Sequence, residues 1–183
     1  MSDPAPVKTQ PRELEQLMQR YQSADADAAA ALIARISPQM LQFFLADVRN
    51  RPEAEDLLQD FWLRIHRVRH TFRTNEPLLP WMYAIARRVR VDHYRRSKRI
   101  HTRELQSEIL PDVAAQPAEQ SDANLEELLK ELPTAQRETI LMLKGAGLTL
   151  EEVARASGST IGAVKQRAHR AYEKLRKVLG PVE

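Results

Sequence analysis

The sequence contains no cysteine. Disulfides and thiolate metal sites are thereby excluded, and the composition is compatible with a reducing cytoplasm. No apolar run approaches the roughly 20 residues of a membrane-spanning helix. The opening residues, MSDPAPVKTQPRE, also lack the apolar core of a signal peptide. A cytoplasmic protein with no membrane insertion is expected. Glycine is scarce, at 5 of 183 residues, and no glycine-rich phosphate loop, serine elbow or histidine–carboxylate constellation occurs. An enzyme is therefore not expected. His66 and His70 stand one helical turn apart without a third ligand, so neither a metal nor a cofactor is expected. Strand signals are missing throughout, which leaves an all-α chain.

A length of 183 residues suits two small helical domains. The net charge is only +3, so the placement of the charges matters more than their sum. They are segregated. The stretch WMYAIARRVRVDHYRRSKR, Trp81 to Arg99, crowds Arg87, Arg88, Arg90, Arg95, Arg96, Lys98 and Arg99 around a single acid, Asp92. Trp81, Tyr83 and Tyr94 are interleaved, while Met82, Ile85, Val89 and His93 recur at helical spacing. One face of this helix is suited to a core. The other offers guanidinium groups to phosphates and rings for unpaired bases to stack on.

Residues 1–10 read as a proline-rich tail. A helix from Pro11 carries Leu14, Leu17, Met18 and Tyr21, and a second, alanine-rich segment follows Ser23 with Leu32, Ile33 and Ile36. Ser37-Pro38 reads as an N-cap opening a third helix through Met40, Leu41, Phe44, Leu45 and Val48. After the break at Asn50-Arg51-Pro52, residues 53–68 place Ala54, Leu57, Leu58, Phe61, Ile65 and Val68 on a core stripe. The opposite face holds Asp56, Gln59, Asp60, Leu63, Arg64 and Arg67. Helix-dipole stabilisation accounts for the early acids as well as a partner-binding role does. Thr71 to Pro80 reads as a loop.

Residues 100–121 change character, with Pro111, Pro117 and weak periodicity, and read as a linker between domains at 11–99 and 122–180. Beyond it, Leu125, Leu128, Leu129 and Leu132 mark one helix, and Pro133-Thr134 opens another with Ile140, Leu141 and Leu143. Gly145 and Gly147 form a turn. Thr149-Leu150-Glu151-Glu152 is a capping box. The short helix that it starts ends at Ser157-Gly158, and Thr160 caps a longer one to about Val178. Two helices joined by a tight glycine-containing turn form a helix-turn-helix. Ile161, Val164, Ala168, Ala171 and Leu175 share its inward face, which projects Lys165, Gln166, His169, Arg170 and Glu173 outward, with Arg167 at the edge.

With both halves read, the chain resembles the bacterial RNA polymerase sigma factors of the sigma-70 family, in particular the small two-domain extracytoplasmic-function (ECF) group. EAEDLLQDFWLRIHR is similar to that family's region 2.2, and FRTNEPLLPWMYAIARRVRVDHYRR to its regions 2.3 and 2.4. LPTAQRETILMLKGAGLTLEEVARASGSTIGAVKQRAHRAYEKLR is similar to region 4. The resemblance implies a first domain that binds core RNA polymerase through Asp56, Gln59, Asp60, Leu63 and Arg64. It implies that the same domain melts the minus-ten promoter element through Phe72, Arg73, Asn75, Trp81, Tyr83, Arg87, Arg88, Tyr94 and Arg95. The second domain is expected to read the minus-thirty-five element through Thr160, Lys165, Gln166, Arg167, His169 and Arg170.

Two departures bear on promoter choice. Arg88 stands where the family often has asparagine, and Gly162-Ala163-Val164-Lys165-Gln166-Arg167 lacks the hydroxyls of the common Gly-Thr-Val-Lys-Ser-Arg. Gln166 adds an amide able to pair with adenine, so promoter preference does not transfer from relatives. Without an obvious inhibitory extension, control by a separate anti-sigma factor is expected. A stand-alone helix-turn-helix regulator with an effector or dimerisation domain is the competing reading, and a helical adaptor is a third.

Overall fold

The computed structural model describes residues 11–48, 50–104 and 128–179. Among them only helices and their connections occur, so the all-α expectation holds. The predicted tail, residues 105–121 of the predicted linker and the start of the helix predicted through Leu125 lie outside the described residues.

The first four helices are α1 (Pro11–Gln22), α2 (Ala26–Leu45), α3 (Arg51–Val68) and α4 (Leu78–Glu104). They pack in sequence, α1 on α2, α2 on α3 and α3 on α4. Met18, Leu32, Ile36, Met40, Phe44, Phe61, Ile65 and Met82 are fully enclosed between them. Edge-to-face ring contacts tie α2 to its neighbours, Phe43 to Tyr83 at 5.1 Å and Phe44 to Phe61 at 6.2 Å. Asn50 caps α3 by accepting from the Glu53 amide at 2.9 Å.

Two boundaries differ from the sequence reading. Ser37-Pro38 does not start a helix, because α2 runs unbroken through Pro38. The apolar stripe Leu32, Ile36, Met40, Phe43 and Phe44 keeps its spacing across the proline, and burying it outweighs one lost backbone bond. Ser37 Oγ instead accepts from Trp62 Nε1 at 2.9 Å. Pro80 likewise does not close a loop. It stands in the first turn of α4, where an amide has no intrahelical partner and its absence costs little. At the other end α4 continues to Glu104, past the expected linker start. By length and composition α2 resembles a membrane span, with a hydropathy of 1.3, but its stripe is packed inside the bundle.

The second half comprises α5 (Thr134–Ile140), a π-helical turn (Leu141–Gly145), α6 (Leu150–Ser157) and α7 (Ile161–Leu179). The capping box is present as predicted, with Thr149 Oγ1 accepting from Glu152 N at 3.2 Å and Glu152 Oε2 accepting from Thr149 N at 2.8 Å. Gly158 closes α6 at φ 60°, a left-handed conformation that a side chain would strain. Val164, Ala168 and Ala171 face inward as expected, whereas Ile161, at the first position of α7, is 39% exposed.

The sequence predicts two domains with separate cores. In the structure Met142, Leu148, Val153, Ala154, Ala156 and Val164 join the buried cluster of the four-helix bundle. Helix α6 lies directly against α4. A smaller cluster of Leu129, Leu132, Ile140 and Ala171 holds α5 to α7.

Candidate polymerase and nucleic-acid interfaces

Helix α3 presents the expected face. Asp56 and Gln59 are exposed, and Leu63 is 51% exposed, a large apolar side chain with little cover. Asp60 pairs with Arg96 at 3.1 Å and Arg64 with Asp92 at 3.7 Å, linking α3 to α4. Both pairs are exposed, and such pairs are worth about 0–1 kcal/mol, so a partner's charges exchange with them easily. Between them runs a groove of about 470 Å³ with Leu63 and Arg67 on one wall and Val89 and Arg95 on the other.

The loop before α4 is clamped at both ends. Gln22 Nε2 donates to the carbonyls of Arg69 at 2.7 Å and Phe72 at 2.9 Å, and Glu15 Oε1 accepts from the Leu78 amide at 2.8 Å. Phe72 is buried and its ring meets that of the half-buried Trp81 at 5.4 Å. These anchors leave Arg73, Thr74, Asn75 and Glu76 exposed at the tip, beside a notch of about 370 Å³ bordered by Gln16 and Gln19.

The nine residues expected at the minus-ten element fall into distinct groups. Arg73, Asn75, Arg88 and Arg95 are exposed, and Tyr94 is 66% exposed. Phe72 and Tyr83 lie in the core, so neither reaches nucleic acid in this arrangement. Tyr83 Oη accepts from Gln39 Nε2 at 3.0 Å, and burial raises its pKa far above the usual phenol range. Its position in the sequence, one residue from Met82 on an amphipathic helix, could not reveal this, because α4 has neighbours on two sides. Arg87 is engaged too, with Nε 3.0 Å from Glu138 Oε2 and Nη1 donating to the Ser157 carbonyl at 2.9 Å.

The helix-turn-helix keeps open the face expected to read DNA. Thr160 Oγ1 accepts from Ala163 N at 3.2 Å, capping α7, and Lys165, Gln166, His169 and Arg170 are exposed. Arg167 differs, because its Nη1 donates to Ser159 Oγ at 2.8 Å and braces the turn. A further set escaped the sequence reading. Asp47, Arg90, Arg137 and Glu138 meet between the halves, and no local pattern pairs residues 43 to 90 positions apart.

Comparison with known proteins places this geometry. The profile described as Sigma-70 region 2 matches residues 32–100, and that described as Sigma-70, region 4 matches residues 128–177. The chain is 32% identical to the RNA polymerase sigma factor CarQ of Myxococcus xanthus over 170 residues, covering 91% of this chain and 97% of that one. The chain belongs to the sigma-70 family. It is similar to the ECF RNA polymerase sigma factor SigF of Caulobacter vibrioides as well, at 31% identity over 88% of this chain and 91% of that one. Among solved structures it resembles the sigma factor RpoE of Bartonella quintana, in complex with the anti-sigma factor NepR, at 25% identity and a TM-score of 0.67. That match covers 80% of this chain and 93% of the other. CnrH, solved with the cytosolic domain of CnrY, shares the fold at a TM-score of 0.69 and 22% identity, over 91% of this chain and 97% of that one. This sigma factor is of the ECF type, a DNA-binding regulatory subunit that recruits core RNA polymerase to promoters.

Proposed function

We propose that residues 11–99 form the polymerase-binding and minus-ten-melting domain of this ECF sigma factor. Residues 122–180 then form the minus-thirty-five domain, joined through residues 100–121. The observation that carries this division is the clamped loop at 73–76 leading into the helix on which Arg88, Tyr94 and Arg95 are exposed, in one chain with an open face on α7. Unstacking a base costs a few kcal/mol, and rings and cations repay that only by holding single-stranded DNA. Phosphate attraction alone favours a closed duplex equally. Asp56, Gln59 and Leu63, with Asp60 and Arg64 freed from their weak pairs, supply the polymerase contact. On α7, Gln166 and Arg170, one turn apart, address base edges and Lys165 anchors phosphate, while Arg167, also expected at phosphate, braces Ser159.

The protein acts in the cytoplasm, where polymerase and DNA are. An anti-sigma factor is its expected regulator, a proposal supported by the NepR complex of the similar RpoE. Run-off transcription with purified core polymerase on genomic fragments tests the whole reading. Discrete transcripts that depend on this protein are expected. Tight duplex binding without polymerase, and no dependent transcript, would indicate a stand-alone regulator instead.

A further inference from the structure

Helix α1 touches both ends of the loop between α3 and α4. Gln22 Nε2 donates at 2.7 Å to the carbonyl of Arg69 and at 2.9 Å to that of Phe72, so both amide hydrogens are engaged where the chain leaves α3. Two helical turns earlier, Glu15 Oε1 accepts at 2.8 Å from the amide of Leu78, the first residue of α4. Seven positions separate the two side chains, which places them on one face of α1 and about 10 Å apart along it. The six residues from Phe72 to Leu78 could extend to about 20 Å. Held between such anchors they bow outward, and Arg73, Thr74, Asn75 and Glu76 are exposed at the crest.

Stability alone does not explain these contacts. Helix α1 is already seated through Leu14, Met18 and Tyr21, all buried, and Tyr21 Oη shares a 2.8 Å hydrogen bond with His66 Nδ1 of α3. Glu15, by contrast, leaves Oε2 buried without a hydrogen-bond partner among the described residues, a penalty that an apolar side chain in its place would avoid. The effect of the contact is local. The first turn of α4 has no acid of its own, and the Glu15 carboxylate supplies one from another helix, facing the positive end of the α4 dipole.

We propose that α1 is a splint for the promoter-opening loop, with Glu15 and Gln22 as positioning residues that touch no DNA themselves. The proposal rests on the sigma-factor reading above. A free six-residue segment samples many backbone conformations, and ordering it around an unstacked base would subtract from the energy available to keep that base out of the duplex. Fixing both ends beforehand removes most of that loss, as preorganisation does for binding loops in general. Gln22 sets where the loop departs and Glu15 sets where α4 begins. The tip at 73–76 thereby keeps a constant relation to the helix that carries Arg88, Tyr94 and Arg95.

Gln22→Ala and Glu15→Ala each release one end of the loop, so that one tests the splint if the other fails to fold by circular dichroism. Glu15→Gln retains an acceptor oxygen for the Leu78 amide, and Glu13→Ala removes an exposed α1 acid that pairs with Arg35 of α2 at 2.6 Å. In the free full-length protein, tryptic cleavage after the exposed Arg73, identified by mass spectrometry, is expected to be about tenfold faster in both alanine variants. With core polymerase on a promoter found by run-off transcription, permanganate reactivity of thymines near the start site should appear about tenfold more slowly in them. Glu15→Gln and Glu13→Ala should stay within about twofold of wild type in both measurements. Binding to core polymerase should be unchanged, and a template with a pre-melted mismatch bubble should restore transcription. Losing the Glu15 charge by itself favours binding to phosphates, so slower opening would not be an electrostatic side effect. Unchanged cleavage, opening at the wild-type rate by either folded alanine variant, an equal defect in Glu15→Gln or Glu13→Ala, or a defect that the bubble does not relieve each overturns the splint. Loss of polymerase binding in parallel with opening does the same, since α1 would then only support the fold. Absence of any dependent transcript from wild type removes instead the reading on which the splint rests.

Discussion

Helices α4 and α7 carry the same kinds of side chain, arginines and polar residues on one face and apolar residues on the other, yet they stand in different circumstances. Helix α7 packs through its inward face against α5 and α6, and Lys165, Gln166, His169 and Arg170, proposed to meet DNA, remain exposed. Helix α4 packs against α1, α3 and α6, Tyr83 is enclosed against Phe43 and Gln39 of α2, and Arg87 and Arg90 are drawn into ion pairs. The difference teaches that a helix's polar face is available for binding only where no second element covers it. Charge and periodicity alone do not count neighbours.

The comparison is tested most severely at Tyr83 and Tyr94. Removing an enclosed aromatic ring costs about 3–5 kcal/mol through lost burial and the cavity left behind. Tyr83→Ala is expected to lower the midpoint of denaturant unfolding accordingly, and Tyr94→Ala to change stability by less than about 0.5 kcal/mol, as exposed substitutions do. Tyr94→Ala should instead slow promoter opening, read as permanganate reactivity of thymines near the start site. A stable Tyr83→Ala protein that fails only in opening would reverse the assignment of the two rings.

The outer face of α3 gives the next largest effect. Reversing Asp56 and Asp60 to lysine should weaken binding to core polymerase by about 2–4 kcal/mol if the partner surface is basic, because like charges then meet. Reversal at Asp60 also places a lysine beside Arg96, its present partner at 3.1 Å, so α3 and α4 repel weakly at the surface. Circular dichroism should nevertheless be unchanged, since the core stripe Ala54, Leu57, Phe61 and Ile65 is untouched. Undiminished pull-down of core polymerase would show that the docking face lies elsewhere.

What could be seen in the sequence follows from the range of the forces involved. The capping box at Thr149 and Glu152, the glycine stop at Gly158 and the Thr160 cap are settled within four residues, and each is present. Ser37-Pro38 misled because a local signal was set against a longer one, the stripe from Leu32 to Phe44, and burial prevailed. At the candidate site the exposed Arg73, Asn75, Arg88, Tyr94 and Arg95 were legible from spacing and from resemblance. The burial of Phe72 and Tyr83 was not, nor was the meeting of Asp47 with Arg137, because contacts across the fold leave no mark on local pattern.

On α7 the contrast can be sharpened between adjacent residues. Gln166 is exposed, and Gln166→Ala should forfeit about 1–3 kcal/mol of discrimination at one base pair while leaving total affinity nearly intact. Arg167 braces Ser159 across the turn, so Arg167→Ala should weaken binding to all sequences alike by loosening the geometry of the reading helix. Selection from a randomised minus-thirty-five element separates the outcomes. An unaltered preference with Gln166→Ala would remove it from the reading residues.

The smallest effects address how far the halves are one body. Asn50 caps α3 through the Glu53 amide at 2.9 Å, and Thr149 caps α6 through the Glu152 amide at 3.2 Å. Replacing either cap by alanine typically costs about 1 kcal/mol. Were the halves independent, Asn50→Ala would move one thermal transition and Thr149→Ala another. The buried cluster, however, runs from Leu14 of α1 to Val164 of α7, and helices α4 and α6 share it. Elements that bury one continuous core unfold together, so both variants are expected to move a single transition by similar amounts, about 2–4 °C for a chain of this size. Calorimetry with a probe in each half reads this directly. Two transitions that respond separately would mean that the apolar contact between α4 and α6 contributes little in solution.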